Sequence, residues 1–317
     1  MRFAFILDPL ASLKPAKDSS IAMMRAAQAA GHTVWYIDPP AVHWSTADGV
    51  CAEAVQLELT SAGATWYRAV GRERRMLRDF DAVLMRKDPP FDIEFVTTTW
   101  LLSRAEAEGA RVFNRPQALR DHSEKLSIAE FARFTVPTLV SCEPEWLHAF
   151  IDAHRDAILK PLDGMGGSQV FRVPADDPNR NVIVETLTGE GARTIMAQRY
   201  IPEIAEGDKR ILIVGGEVVP WALARIPRAG ETRGNLAAGG RGVVRELSAR
   251  DREIAETLAP VLSARGLLLV GIDVIGDWLT EINVTSPTCM VEIREQTGFD
   301  AAARFVAALE RVCAADV

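Results

Sequence analysis

The opening of the chain constrains its fold most. Residues 2–7 are strand-like, 8–18 form a polar loop, a helix capped at Ser19 or Ser20 runs through Met23, Met24 and Ala27 to Gly31, and 33–37 return to strand character. Short apolar runs at 82–85 and 111–113 flank a helix-like stretch at 94–108, so the first part of the chain reads as an open α/β domain. At 317 residues, the chain is about twice an average domain and has room for two or three packed units. Apolar residues at 48% and charged residues at 25% match ordinary globular usage and exclude disorder as the dominant state.

The rest of the chain divides into two further units. A second helix at 123–133 leads to a strand at 138–140, a helix at 145–154 and a strand at 157–159. Lys160-Pro161-Leu162-Asp163-Gly164-Met165-Gly166-Gly167-Ser168 then reads as the polar, glycine-rich tip of a β-hairpin, with 169–173 as its returning arm. Strands are expected at 194–200, 210–214 and 218–226, the last two joined by Gly215-Gly216. Residues 227–242 carry five glycines with Arg228, Arg233 and Arg241, too long a loop for a mere connector. A helix at 249–265, strands at 268–275 and 279–284, and an amphipathic helix from Asp300 to about Cys313 complete the chain. Boundaries near 122 and 202 give units 1–122, 123–202 and 203–317.

Several chemistries are excluded by absence of their residues. The net charge of −7 argues against a general nucleic-acid or polybasic membrane binder. Cys51, Cys142, Cys289 and Cys313 are widely spaced, which argues against a zinc site or disulfide framework. The N-terminus lacks the regions of a signal peptide, and no apolar run reaches membrane-spanning length, so a cytosolic, reduced protein is expected. No Gly-Lys dipeptide occurs, which removes a P-loop, and G-x-S-x-G is missing.

The last hairpin carries the clearest chemistry. If Gly276-Asp277-Trp278 forms a three-residue loop, Asp273 lies opposite Glu281, with Asn283 two positions along the same face. Opposed carboxylates repel, and a hard divalent cation relieves that repulsion. A two-residue turn would instead send Glu281 to the other face, and an ordinary exposed polar face would show the same residue types. The oxygen-rich Thr285-Ser286-Pro287-Thr288 that follows favours the metal reading. Magnesium held by few carboxylates shares its remaining positions with phosphate and water, which points to a nucleotide.

Lysine scarcity supplies a second clue, since only six lysines stand against thirty arginines. Lys125 and Lys160 bracket the glycine-rich tip, where backbone N–H groups can approach phosphate, and Lys209 adjoins Asp208 and Arg210. Between Lys209 and Arg245 the local balance is +5, which implies a further anionic ligand. A Gly/Arg loop closing over a site would shield a labile phosphorylated intermediate from water. A solvated basic loop is the plainer reading of Arg228 and Arg245 taken singly.

Taken together these stretches resemble the prokaryotic glutathione synthetase family of the ATP-grasp superfamily. The likeness runs through Asp8-Pro9, Lys17-Asp18-Ser19-Ser20, Met85-Arg86-Lys87-Asp88-Pro89-Pro90-Phe91-Asp92, Asn114-Arg115-Pro116, Glu124-Lys125, the 159–167 loop and Gly207-Asp208-Lys209-Arg210. It continues through Ala224-Arg225-Ile226-Pro227, residues 230–242, and 279–289. Arg199 departs from the amide or acidic side chain that similar proteins tend to carry there. The resemblance implies two α+β subdomains gripping ATP, preceded by an open α/β Rossmann-like domain. It further implies ATP-dependent joining of γ-glutamylcysteine and glycine through an acyl phosphate, in a cytoplasmic homotetramer without nucleic-acid or membrane partners.

In that reading Lys125, Lys160 and the loop residues Gly164, Gly166, Gly167 and Ser168 meet the phosphates. Gln198, Tyr200 and Ile201 line the adenine pocket, and Asp208 joins the nucleotide contacts. Asp273, Glu281 and Asn283 hold two magnesium ions, with manganese an alternative. Arg210, Arg225 and Asn283 act in catalysis. Arg86, Arg210, Arg225, Arg233, Arg241, Ser286 and Thr288 contact substrate, with Arg233 and Arg241 on the lid. A ligase for other amino acids, such as a D-alanine or glutamate ligase, would share the ATP and metal residues, but the Gly/Arg segment and Met85–Asp92 argue against it. A non-catalytic ATP-binding regulator is disfavoured by the intact Asp273, Glu281 and Asn283.

Overall fold

A computed structural model describes residues 1–60, 65–231, 233–234 and 239–315. Thr232 and 235–238, within the expected lid, lie outside the described residues. The first sheet contains β1 (Arg2–Ile6), β2 (Thr33–Ser45), β3 (Gly49–Leu59), β4 (Tyr67–Met76), β5 (Ala82–Met85) and β6 (Val112–Phe113) in the order β4-β3-β2-β1-β5-β6. Strands β2, β1, β5 and β6 are parallel, β3 adds antiparallel to β2, and β4 adds antiparallel to β3. Helix α1 (Ser19–Ala29) covers the face carrying Phe3, Phe5 and Leu7, whereas α2 (Ile93–Ala107) covers the opposite face with Ala4 and Ile6. Asp18, not Ser19 or Ser20, caps α1, because its carboxylate accepts the Ile21 N–H at 2.9 Å and both serines are buried in the first turn.

The β3–β4 extension was not expected from sequence. Pro39 and Pro40 read as strand breakers, yet β2 passes through them at an irregularity between Ile37 and Val42 and then resumes. Thr46, Ala47 and Asp48 form the turn, and Gly49 opens β3 at φ +78°. Strand β4 is exposed along most of its length and bears Arg68, Arg72, Arg74 and Arg75 on the sheet edge, so its charges rather than apolar alternation define it.

After α3 (Pro116–Asp121), a 3₁₀ stretch at Leu126–Phe134 breaks at Phe131 (φ −116°, ψ 38°), where one continuous helix was expected. Ile128, Phe131 and Phe134 enter the core, and the Glu124 carbonyl accepts the Ile282 N–H at 2.8 Å, so docking against a distant strand overrides helical propensity. The second sheet is antiparallel, ordered β7-β10-β8-β9, with β7 Thr138–Ser141, β8 Asp156–Pro161, β9 Phe171–Pro174 and β10 Ile195–Arg199. Helices α4 (Pro144–His154) and α5 (Arg180–Thr188) share its small core.

The third sheet, ordered β13-β12-β11-β14-β15, comprises β11 (Asp208–Val214), β12 (Glu217–Ile226), β13 (Arg241–Glu246), β14 (Leu269–Ile275) and β15 (Trp278–Asn283). Its faces are covered by α6 (Ala249–Ala264) on one side and α8 (Ala301–Ala315) on the other, with α7 (Met290–Thr297) between β15 and α8. Arg241 was expected on the loop, but it opens β13 opposite Ile226 and is exposed. The first and third sheets are tied together, since Asn114 donates to the carbonyls of Leu269 and Val284, both at 2.7 Å, and His32 lies 2.7 Å from Glu310.

Candidate active site

A cavity of about 340 Å³ opens between the second and third sheets and reaches the end of β5. A row of cross-strand pairs runs along and behind its floor: Asp208 of β11 faces Arg225 of β12, and Arg210 of β11 faces Asp273 of β14, which in turn faces Glu281 of β15. The hairpin between β14 and β15 corrects the expected turn. Ile275 pairs with Trp278, so the turn has two residues, Gly276 and Asp277. That turn alone would have sent Glu281 to the far face. Thr280 is an extra residue between the Val274–Leu279 and Asp273–Glu281 pairs, and this β-bulge returns Glu281 to the same face as Asp273. The bulged Thr280 donates its hydroxyl to the Asp273 carbonyl at 3.1 Å.

Asp273 is only 2% exposed and does not line the cavity; it sits behind it. Arg210 binds both its oxygens, Nη2 at 2.9 Å from Oδ2, and Arg225 Nη2 lies 2.8 Å from Oδ2. Burial alone would raise the Asp273 pKa, but the two guanidiniums outweigh it and hold the carboxyl well below the usual range. Asn283 Nδ2 donates to Asp273 Oδ2 at 3.2 Å, which turns its amide oxygen away from that carboxylate. Asp208 gives one oxygen to Arg225, while its Oδ1 is buried without a partner among the described residues; burial pushes this carboxyl up to about 6. Gly271 lets the row close up, because a Cβ there would meet Arg210 Cδ at 2.8 Å.

Across the cavity, Lys125 bonds the Gly164 carbonyl and lies 2.9 Å from Glu281 Oε1. Lys160 is buried, donates to the Thr280 carbonyl at 3.4 Å, and has its pKa lowered by loss of hydration. Above them is the 164–168 tip, with Gly166 and Gly167 in the left-handed region at φ +62° and +79°. One end of the cavity is apolar, lined by Ile158, Val170, Ile201, Ile204 and Ile275 beside Gln198 and Tyr200. Gln198 Nε2 donates to Thr138 Oγ1 at 3.1 Å, and the Arg172 guanidinium stacks 3.9 Å from the Tyr200 ring.

The structure therefore brings Lys125, Lys160, Gly164, Gly166, Gly167, Ser168, Gln198, Tyr200, Ile201, Asp208, Arg210, Arg225, Arg233, Glu281, Asn283, Ser286 and Thr288 to one cavity. Arg86 is not on that wall. It is buried behind the 286–288 loop and donates to Ser20 Oγ at 3.2 Å and the Pro287 carbonyl at 3.0 Å. Nor does Arg241 line the cavity among the described residues. Lys209, expected beside the phosphate site, points away from the cavity. Strand alternation turns it to the opposite face from Asp208 and Arg210, where it bonds Asp251 and the Gly276 carbonyl (2.9 Å).

Glu124 is named beside Lys125 in the resemblance but is given no role there. Its Oε1 accepts the Val284 N–H (2.8 Å), the Thr285 N–H (3.0 Å) and the Thr285 hydroxyl (2.9 Å), which pins the segment after Asn283 to the residue before Lys125. Burial raises its pKa despite those donors. Only its place beside Lys125 could have drawn attention to it.

Comparison with known proteins adds the family. Residues 1–120 match the model for the N-terminal domain of prokaryotic glutathione synthetase, and residues 124–298 match the model for its ATP-grasp domain. The chain belongs to the prokaryotic glutathione synthetase family. It is 57% identical to a glutathione synthetase of Ralstonia nicotianae, covering 98% of this chain and 96% of that one. A glutathione synthetase of Bordetella parapertussis is 56% identical, covering 98% and 99%. Among solved structures, the D-cycloserine synthetase DcsG superposes with a TM-score of 0.69 at 17% identity, covering 99% of this chain and all of that one. The ATP-grasp ligase PsnB, complexed with a minimal precursor, Mg and ADP, gives 0.62 at 17% identity, covering 98% of each chain. These likenesses establish an ATP-grasp ligase fold.

Proposed function

We propose that the cavity joins γ-glutamylcysteine to glycine by way of an acyl phosphate on the cysteinyl carboxylate. The activity is the ATP-dependent ligation that forms glutathione, as family membership over nearly the whole chain supports. The observation that carries the residue roles is the buried Arg225–Asp208 and Arg210–Asp273–Glu281 row facing Lys125 and Lys160.

In this reading the apolar end at Gln198–Ile204 takes the adenine. The orphaned Asp208 Oδ1 accepts a hydrogen bond from the bound nucleotide, and Lys125 and Lys160 hold its phosphates beneath the 164–168 tip. The cysteinyl carboxylate attacks the γ-phosphorus, ADP leaves, and the neutral glycine amine attacks the acyl carbon with loss of phosphate and a proton. Arg210 and Arg225 are pre-aimed by Asp273, so they stabilise charge on the transferring phosphoryl group and the tetrahedral intermediate without reorganising. Arg233, on the cavity wall, shields the acyl phosphate from water.

The donor set fits a divalent cation. Glu281 and Asn283 present hard oxygens to the cavity, and no group of three His, Cys, Asp or Glu gathers among the described residues, so the remaining ligands come from phosphate and water. Magnesium so held, with Asp273 behind and manganese as an alternative, supplies charge neutralisation for the phosphates; two ions are proposed. Units 1–122, 123–202 and 203–317, a cytoplasmic location and a homotetramer complete the proposal. No helix among the described residues is long and apolar enough to cross a membrane.

The test is ADP release measured over a panel of dipeptide and amino-acid pairs. Release is expected to require both γ-glutamylcysteine and glycine. Equal turnover with D-alanine alone overturns the assignment.

A further inference from the structure

Four carboxylates line the cavity among the described residues: Asp88, Glu124, Asp208 and Glu281. Three are already committed. Glu124 is held by its three donors, Asp208 faces Arg225, and Glu281 faces Lys125. Asp88 differs, because its side-chain partner is the neutral Ser286 hydroxyl, which donates to Oδ1. The neighbouring cations are occupied elsewhere. Arg86 reaches Asp88 only through space and directs its donors at Ser20 and Pro287, while Lys87 lies 3.9 Å from Asp8 and bonds the Asp88 carbonyl.

Its place in the fold is also that of a ligand contact. Asp88 follows β5, whose end pairs with the end of β1 through Met85 and Ile6. Helices α1 and α2 leave these neighbouring strands on opposite faces, so the sheet order reverses here. In open α/β sheets, ligands bind in the crevice at the carboxyl ends of strands flanking such a reversal. Asp8, at the end of β1, fixes the position by accepting the Asp88 N–H at 2.8 Å.

The chemistry of the reactants singles out one complement. γ-Glutamylcysteine and glycine bring three carboxylates, for which Arg210, Arg225 and Arg233 line the wall. Glycine must be a neutral amine to attack, which leaves one ammonium, on the α-carbon of the γ-glutamyl group. We propose that Asp88, anchored by Ser286, receives this ammonium on Oδ2, which has no side-chain partner among the described residues, and so selects γ-glutamyl donors. The inference rests on the ligase reading above.

The experiment compares γ-glutamylcysteine with glutarylcysteine, the same skeleton without the ammonium, in the native chain and in Asp88→Asn. Loss of one charge-assisted contact is expected to raise KM for γ-glutamylcysteine about ten- to a hundredfold. KM for ATP and glycine should stay within about twofold of the native values, and preference between the two dipeptides should collapse. Ser286→Ala, which keeps the charge but frees its anchor, should shift KM in the same direction by less, with an unchanged melting temperature. Equal losses on both dipeptides, or a shift confined to glycine, overturn the Asp88 role while leaving the ligase reading intact. Absence of ligation by the native chain overturns both.

Discussion

Two hairpins face each other across the cavity, and they are built in opposite ways. The β14–β15 hairpin lies in a five-stranded sheet, with Ile272, Val274, Leu279 and Ile282 fully buried and Asp273 clamped by two arginines. The β8–β9 hairpin ends in a tip whose Met165 is 41% exposed and whose glycines sit in the left-handed region. One wall is pre-formed by the core. The other is exposed and glycine-rich, as the proposed closure over a nucleotide requires. Charge stabilisation requires the first arrangement, since dipoles that are already aimed cost nothing to reorient; admission and release of a nucleotide require the second.

Disturbing the rigid wall should have the largest effect. Asp273→Asn leaves Arg210 and Arg225 buried without their shared counter-charge, so a stability loss of about 3–5 kcal/mol is expected together with near-complete loss of kcat. Denaturant unfolding beside single-turnover kinetics checks both, and native-like stability with lost kcat alone would show that the row is not structural. Glu124→Ala should come next, at about 1–3 kcal/mol for three donors left unpaired, with activity falling in step. Glu124→Gln keeps an acceptor oxygen and should recover most of both; if it is as damaged as Ala, the negative charge rather than the hydrogen bonding matters.

Lys160 belongs to the boundary between the walls. Its ammonium is destabilised by burial, so the charge is lost as pH rises through a value below the usual 10.5. Nucleotide affinity of the apo protein should therefore be greatest near neutrality and decline on the alkaline side earlier than an exposed lysine would allow. A flat titration of binding against pH contradicts this. The smallest effect is expected at the open tip. Gly166→Ala meets no atom of the described residues within 4 Å and costs only the left-handed backbone, about 1 kcal/mol, so KM for ATP should rise a few fold while the melting temperature barely moves. A large drop in melting temperature would erase the contrast between the two hairpins.

Much of this contrast was legible in the residues. The glycine tip between strands and the βαβ opening are local patterns, set by backbone freedom and side-chain period within a few residues, whereas the turn after Ile275 is one residue shorter than its sequence suggested. Lys209 shows the limit of such reading, because adjacency in sequence to Asp208 and Arg210 meant opposite faces in the strand. Strands β3 and β4 were hidden for a related reason. Prolines at an irregularity and a charged edge do not look like a strand until the partner strand supplies the hydrogen bonds.

The sequence by itself determined the family, the order of most elements and the supply of carboxylates, lysines and arginines, since these are properties of composition and short spacing. Tertiary structure alone decided which of them meet. The bulge at Thr280 places Glu281 opposite Asp273, Glu124 reaches Thr285 from 161 residues away, and the end of β5 brings Asp88 to Ser286. Each depends on register or docking between distant segments, where the energy resides in the partner and not in the residues that precede or follow along the chain.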